Sequence, residues 1–220
     1  MLSGHPIETS NAVRQTTLCR SAELGLDLGI IPATIFLSAF LLFLVQPLIA
    51  SYILPWFGGA PGVWSLCLAF YQTALFLGYA YAHLLIRRIP PARQPIVHAL
   101  LLLAALAVLP VLPEASWKPA GDDSPGLRIL GMLAANVGPP FLLLAATGPL
   151  VQAWFARVFP TRSPYPLYAV SNAGSLLALL SYPVVVEPSL ALSAQSRVWS
   201  GACAACGLAI LYCAWLATRT

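Results

Sequence analysis

Six long apolar stretches, separated by short polar or proline-rich connections, dominate the sequence. Each is close to or above the roughly 20 apolar residues that an α-helix needs to cross the hydrocarbon core of a bilayer. None shows the alternation of apolar and polar residues that is typical of a transmembrane β-strand, and an open strand in lipid would leave backbone groups unpaired. The pattern therefore predicts an all-α, polytopic membrane protein. Its six transmembrane helices are predicted at residues 29–54, 62–86, 95–113, 127–158, 166–186 and 198–217.

The fourth stretch, residues 127–158, is too long for one straight crossing. At about 1.5 Å per residue, a continuous helix of this length would run well past the roughly 30 Å hydrocarbon core. Glycine and proline interrupt it at residues 138–140 and again at residues 147–149. We expect one broken crossing with a lateral or interfacial segment at one end, such as residues 150–159 with Trp154 at the head groups. Two re-entrant halves are the alternative.

Composition supports the membrane interpretation and separates a membrane domain from two short terminal segments. Hydrophobic residues make up 59% of the sequence and charged residues only 8%, whereas soluble domains carry about 25% charged residues. A soluble domain of this size could not hide so much apolar surface. The polar N-terminal region lacks the layout of a signal peptide. Residues 1–28 are therefore predicted to be a cytoplasmic tail, residues 29–217 the membrane domain, and residues 218–220 a cytoplasmic end.

The positions of the basic residues predict the orientation, because short cytoplasmic loops are enriched in Lys and Arg. With the N-terminus inside, eight of the 11 basic residues face the cytoplasm. Six crossings then place both termini in the cytoplasm, and we expect an inner-membrane protein. These loop arginines also explain the net charge of +4, so nucleic acid is not an expected partner. The three basic residues predicted to lie outside are Lys118, Arg128 and Arg197.

The first predicted outside turn follows a helix that contains an internal glutamine and proline. Pro47 has no backbone donor and should bend the first helix. The amide of Gln46 can pair with nearby carbonyls or with a neighbouring helix. Glycine and proline let the chain reverse within a few residues, and tryptophan on each shoulder can anchor a helix end at the interface. The residues assigned to this outside surface are Trp56, Gly58, Gly59, Trp64 and, after the fifth helix, Glu187.

Polar side chains are concentrated on the fifth predicted helix, at spacings of three and four that put them on one face. Such stripes usually allow close helix packing with interhelical hydrogen bonds. The alternative is a cavity that faces a ligand or a partner. No charged residue lies in the middle of a stretch, which argues against a cation carrier or a proton-coupled pump. The predicted cluster consists of Tyr168, Ser171, Asn172 and Ser175, which Gln46, Tyr71 and Gln72 can meet in a bundle.

Metal and thiol chemistry have little support in the sequence. His83 and His98 flank the second loop at similar depth, which makes them weak candidates for metal ligands, but no third ligand is evident. Cys203 and Cys206 have the spacing of a CxxC motif, yet they lie in an apolar stretch where a thiol behaves as a small hydrophobe. No cofactor, no metal site and no catalytic residue are therefore expected.

Three runs of the sequence resemble one bacterial family. They are FLVQPLIASYILPWFGGAPGVWSLCLAFYQTALFLGYAYAHLL (43–85), PPFLLLAATGPLVQAWFAR (139–157) and YPLYAVSNAGSLLALLSYPVVVEP (165–188). In this order they are similar to the membrane region of proteins described as fused major-facilitator/spermidine-synthase proteins. In that family a soluble domain resembling spermidine synthase typically follows the membrane region. The sequence ends after the sixth stretch, so the resemblance implies the membrane module without that catalytic domain.

The sequence leaves three functional hypotheses open. The first is a non-catalytic membrane module that scaffolds or stabilises a partner protein or a larger membrane complex. The second is a half-size, transporter-like protein that works as a dimer on a neutral or amphipathic solute. It requires a water-accessible cavity lined by Gln46, Gln72, Asn172 and Ser175. The third is the membrane part of a split polyamine aminopropyltransferase. The expected partners are the lipid bilayer and another protein, with a homodimer as a further possibility.

Overall fold

Helices form nearly all of the protein that the computed structural model describes. It describes residues 6–119 and 124–218, with side chains for residues 29–119 and 124–218. These residues include no β-strand, and five of their helices are long and apolar enough to cross a membrane. The chain is thus a helical, membrane-embedded protein, and the predicted all-α class is confirmed. The five candidate spans are Gly29–Phe57, Pro61–Arg88, Gly138–Val158, Tyr165–Ser189 and Leu192–Leu216.

The described residues form eight α-helices in succession, because apolar backbone in lipid can pair its polar groups only within helices. They are α1 (Pro6–Phe57), α2 (Pro61–Arg88), α3 (Gln94–Leu106), α4 (Pro125–Asn136), α5 (Gly138–Val158), α6 (Tyr165–Ser181), α7 (Glu187–Ser189) and α8 (Leu192–Leu216). A π-helical turn, Tyr182–Val186, joins α6 to α7.

The first helix, α1, is the centre of the bundle and packs against α5, α6 and α8. It begins at Pro6, so its backbone runs on through most of the predicted N-terminal tail. Residues 1–5 of that tail, like Asp122 and Asp123, lie outside the described residues. α1 also contains Pro47, as predicted, and the Ser51 hydroxyl donates to the Pro47 carbonyl at 3.2 Å. α1 therefore continues through a residue that cannot donate a backbone hydrogen bond.

The third apolar stretch is not the single helix that was predicted for residues 95–113. α3 ends at Leu106 after 13 residues, and irregular backbone follows. Val111 of this segment is fully buried and hydrogen-bonds to α8. The Val111 amide donates to Ser200 Oγ at 3.1 Å, and the Ser196 hydroxyl donates to the Val111 carbonyl. Non-helical backbone is tolerated at membrane depth when protein groups satisfy it in this way.

The fourth stretch breaks once, at its first predicted point. α4 ends at Asn136 and α5 begins at Gly138, so the break at residues 138–140 is confirmed. The second predicted break is wrong, since α5 continues through Pro149. The Trp154 side chain, predicted at head-group depth, is 2% exposed. Its indole donates at 3.0 Å to the Gln94 carboxamide of α3.

Two glycines lie where neighbouring helices approach each other closely. A methyl group added at Gly174 of α6 would lie 2.6 Å from the Phe36 carbonyl oxygen of α1. One added at Gly78 of α2 would lie 2.7 Å from the Leu142 carbonyl oxygen of α5. Small residues allow such close packing between membrane helices, where the hydrophobic effect does not drive association. These two contacts fix which faces of α2 and α6 point into the bundle.

Candidate functional site

A cleft separates α1 from α2 although only three residues join the two helices. Gly58 has a φ of 78° and so adopts the left-handed conformation that glycine tolerates. Pro61 then starts α2 with the fixed φ that favours a first helical position. Past this turn the two helices make few close backbone approaches, since α2 packs mainly on α5 and α1 on α5, α6 and α8.

The cleft has a volume of about 330 Å³ and is lined by side chains from both helices. This is the lower end of the size range of small-molecule sites, which are mostly apolar with a few polar groups. None of the described residues that line it is charged. Its walls are formed by Pro47, Ala50 and Ile53 of α1 and by Trp64, Cys67 and Leu68 of α2, with Gln46 and Tyr71 as polar members.

Tyr71 carries the main polar feature of the cleft. Its side chain is 6% exposed, and its hydroxyl oxygen is buried without a hydrogen-bond partner. The ring packs against Phe141 of α5, with 5.2 Å between the ring centroids, and this contact holds it in place. Gln46 is half-buried, and its amide nitrogen lies 3.5 Å from the Leu42 carbonyl oxygen of its own helix. A buried hydroxyl without a hydrogen-bond partner costs free energy. A bound molecule that accepts a hydrogen bond from Tyr71 would recover it.

The structure brings together only part of the predicted polar cluster. Gln46 and Tyr71 share the cleft between α1 and α2. Gln72 is the next residue along α2 and is exposed, because neighbouring helix positions point in different directions. The cavity required by the transporter hypothesis would also need Asn172 and Ser175. Neither lines this cleft.

The polar residues of α6 lie beside its packing face. Leu167, Gly174 and Ala178 form the buried face, and α6 packs mainly on α1. Ser171 and Ser175 are half-buried at its margin, where the Ser175 hydroxyl donates to the Ser171 carbonyl at 3.0 Å. The remaining two predicted members, Tyr168 and Asn172, are both exposed. The close contact of Gly174 with α1 sets this rotation and turns them away from the bundle.

A second buried polar network links α2, α3 and α5, and sequence reasoning missed most of it. The Gln94 side chain accepts from Trp154 and donates at 2.9 Å to the Ile89 carbonyl, which caps the end of α2. Beside it, the Tyr81 hydroxyl lies 3.0 Å from Nδ1 of His98, which is fully buried. A glutamine and a histidine in the first turns of an apolar helix were the available signal. This network joins three helices.

The histidines do not form a site together. Tyr81, two residues before His83, stacks on His98. Residues two apart lie about 200° around a helix, so His83 faces away from this contact and is exposed. Among the described residues no group of three or more metal-ligating side chains is found. Cys203 and Cys206 are buried free thiols within α8.

The predicted outside turn combines aromatic and charged side chains. Lys118 Nζ lies 5.5 Å from the ring centroid of Trp56, in a cation–π contact. Trp64, on the other shoulder, is 38% exposed and forms one wall of the cleft. Glu187 is exposed at the start of α7. Trp64 is thus the residue that connects this turn to the cleft.

No protein-family model, curated protein or solved structure matches this chain. Its class, a helical membrane-embedded protein, follows from the helices themselves.

Proposed function

We propose that the chain is a non-catalytic integral membrane module that holds a partner protein within the bilayer, as a scaffold or as a subunit of a larger complex. The observation that carries the proposal is the position of α6 at the edge of the bundle. In the most apolar 18 residues of the span Tyr165–Ser189, only 17% are buried within the chain. The corresponding share for the span Gly29–Phe57 of α1 is 56%. The exposed surface of α6 includes Tyr168 and the carboxamide of Asn172.

An exposed carboxamide on this span is energetically unfavourable in lipid. Asn172 lies seven residues beyond Tyr165, about 10 Å along the helix axis, and therefore at hydrocarbon depth if α6 begins near the head groups. A polar group without hydrogen bonds in an apolar medium costs several kcal/mol. A neighbouring membrane helix can satisfy it, and interhelical polar contacts of this kind contribute about 1–2 kcal/mol in model peptides. The partner is accordingly a protein with a transmembrane helix whose polar side chain meets Asn172.

The interior packing favours a module over a transporter. Most of the buried side chains described for α1 are apolar, among them the fully buried Ile35, Val45 and Ile49. The two buried polar ones in this described part, Thr34 and Ser38, donate to carbonyls of α1 itself. A solute path through this interior would have to separate the helices at the close contacts of Gly78 and Gly174. The resemblance of three runs to the membrane region of the spermidine-synthase-like fusion family supports the same proposal.

The module crosses the bacterial inner membrane six times in this proposal, with both termini in the cytoplasm. The third crossing combines the short α3 with the irregular segment around Val111, whose backbone the α8 serines satisfy. Basic residues in the last turns of α2 and α5 support a cytoplasmic position for those ends. Reporter fusions test this topology. A periplasm-active phosphatase should be active after Lys118 and inactive after Arg162, and the reverse pattern would overturn it.

Site-specific photocrosslinking tests the partner proposal. A photoreactive amino acid replaces Tyr168 in the full chain, in cells that normally express it, because Tyr168 is exposed one turn before Asn172 and leaves the carboxamide intact. The matched control is position 177, because Leu177 is also exposed on α6 but lies about 180° around the helix from Tyr168. We expect a discrete protein adduct at position 168 that is absent or much weaker at position 177. An adduct with a second copy would identify the partner as the chain itself.

Two variants measure how much the Asn172 carboxamide contributes to partner binding. Asn172→Leu removes the carboxamide and should lower recovery of the crosslinked partner after gentle extraction by about tenfold, as expected for the loss of about 1.4 kcal/mol. Leu177→Ala should leave recovery unchanged. Equal adducts at both positions, the absence of any protein adduct, or full recovery with Asn172→Leu would each overturn the proposal.

A further inference from the structure

The cleft between α1 and α2 has its two polar groups at the same depth. Gln46 lies 11 residues before the end of α1 at Phe57, and Tyr71 lies 10 residues after the start of α2 at Pro61. At about 1.5 Å per residue, both are about 15 Å from the outside turn, near the middle of a roughly 30 Å hydrocarbon core. The apolar wall between them and the turn includes Ile53 and Trp64.

This arrangement defines what the cleft can bind. Among the side chains that the structure describes, none that lines the cleft is charged, so none of them would compensate a phosphate or an ammonium group at membrane depth. The Tyr71 hydroxyl is buried and unpaired, and it can donate to a carbonyl or hydroxyl oxygen. The carboxamide of Gln46 offers a further hydrogen bond. At about 30 Å³ for each water-sized group, the cleft admits roughly a dozen non-hydrogen atoms, enough for a small head and the first part of an apolar tail.

We infer that the cleft between α1 and α2 is a binding site for a neutral lipid with one carbonyl or hydroxyl head group on a slender apolar body. The head accepts a hydrogen bond from Tyr71 beside Gln46, and the body lies along Ile53, Trp64 and Leu68. An ordinary phospholipid does not fit this chemistry, because its charged head group stays at the membrane surface. Two sources share the required chemistry, a quinone with its ring carbonyl and a monoacylglycerol with its ester and hydroxyls.

Photoaffinity labelling of the full chain in lipid nanodiscs tests the site. The probe is a monoacylglycerol with a diazirine in its acyl chain, and labelled peptides are mapped by mass spectrometry. We expect saturable labelling within residues 44–71. Three unlabelled competitors of similar tail length distinguish the ligand chemistry. A short-chain benzoquinone and a monoacylglycerol should compete, and whichever competes better identifies the source. Phosphatidic acid should compete at least about tenfold more weakly.

Three variants connect the labelling to the cleft. Tyr71→Phe removes only the hydroxyl and should weaken binding about fivefold, the usual consequence of losing one neutral hydrogen bond. Leu68→Trp fills the cleft and should remove saturable labelling. Tyr79→Phe makes the same chemical change at a tyrosine of α2 that is 52% exposed, and it should bind like the unmodified chain.

Several results would overturn the inference. One is labelling that does not saturate or that spreads over the exposed faces of α2 and α6, as bulk lipid would label. Another is equal affinity in the Tyr71→Phe variant, or saturable labelling that survives Leu68→Trp. Effective competition by phosphatidic acid would exclude the neutral-lipid assignment. None of these results bears on the α6 proposal, because Asn172 lies outside the cleft.

Discussion

The contact between Gly174 and α1 allows a quantitative prediction. In the Gly174→Ala variant the new methyl carbon would lie 2.6 Å from the Phe36 carbonyl oxygen, and ordinary contact begins near 3.4 Å, so α6 must retreat by about 0.8 Å. The obstacle is helix backbone and cannot rotate away. A gap of 0.5–1 Å already forfeits a quarter to a half of the dispersion attraction between surfaces. Overpacking of this kind costs about 1–3 kcal/mol, and we expect about 2 kcal/mol for this variant.

The assay is reversible unfolding of the purified chain in mixed micelles, titrated with sodium dodecyl sulfate and followed by circular dichroism. Gly201→Ala is the matched control, because Gly201 lies within α8 and a methyl group there would meet nothing within 4 Å. It should leave stability unchanged or raise it by up to about 1 kcal/mol through helix propensity. A Gly174→Ala variant as stable as Gly201→Ala would refute the argument that this glycine is required for the packing of α6.

Two further predictions concern buried hydrogen bonds. Ser200→Ala should destabilise the chain by about 1–3 kcal/mol in the same titration, because the buried Val111 amide loses its acceptor. Ser193→Ala, at an exposed position of α8, should change stability little, and equal effects of the two variants would contradict this role. Gln94→Leu should cost a similar amount, since it leaves the buried Trp154 indole without an acceptor. A Trp154 that keeps its fluorescence and stability in that variant would contradict the role of Gln94.

The approximate positions of several membrane spans could be predicted from the sequence. The stretch 62–86 became α2 at Pro61–Arg88, and the stretch 166–186 became the span Tyr165–Ser189. Both follow from a local property, the length of an apolar run, because the bilayer imposes helix on any such run. The break at Gly138 is equally local, since glycine and two prolines interrupt the pattern there.

The features that the sequence did not predict are interactions between residues far apart in the chain. The irregular backbone at Val111 is stable because Ser200, 89 residues away, accepts its hydrogen bond. The buried hydrogen bond between Trp154 and Gln94 likewise joins two helices across 60 residues. In both cases the partner comes from another helix, and the local pattern does not identify it.

For the predicted polar cluster, the sequence identified the residues that share a face of α6 but not the neighbours of that face. Spacing correctly identifies which side chains share a face of α6, because helix periodicity is a local property. It does not determine the direction of that face. The direction follows from the contact of Gly174 with α1, which turns Asn172 outward and leaves Gln46 and Tyr71 in a separate cleft. The sequence by itself thus determined a helical membrane protein and most of its spans. Only the tertiary structure decided which polar groups are buried together, because that depends on how each helix rotates against its neighbours.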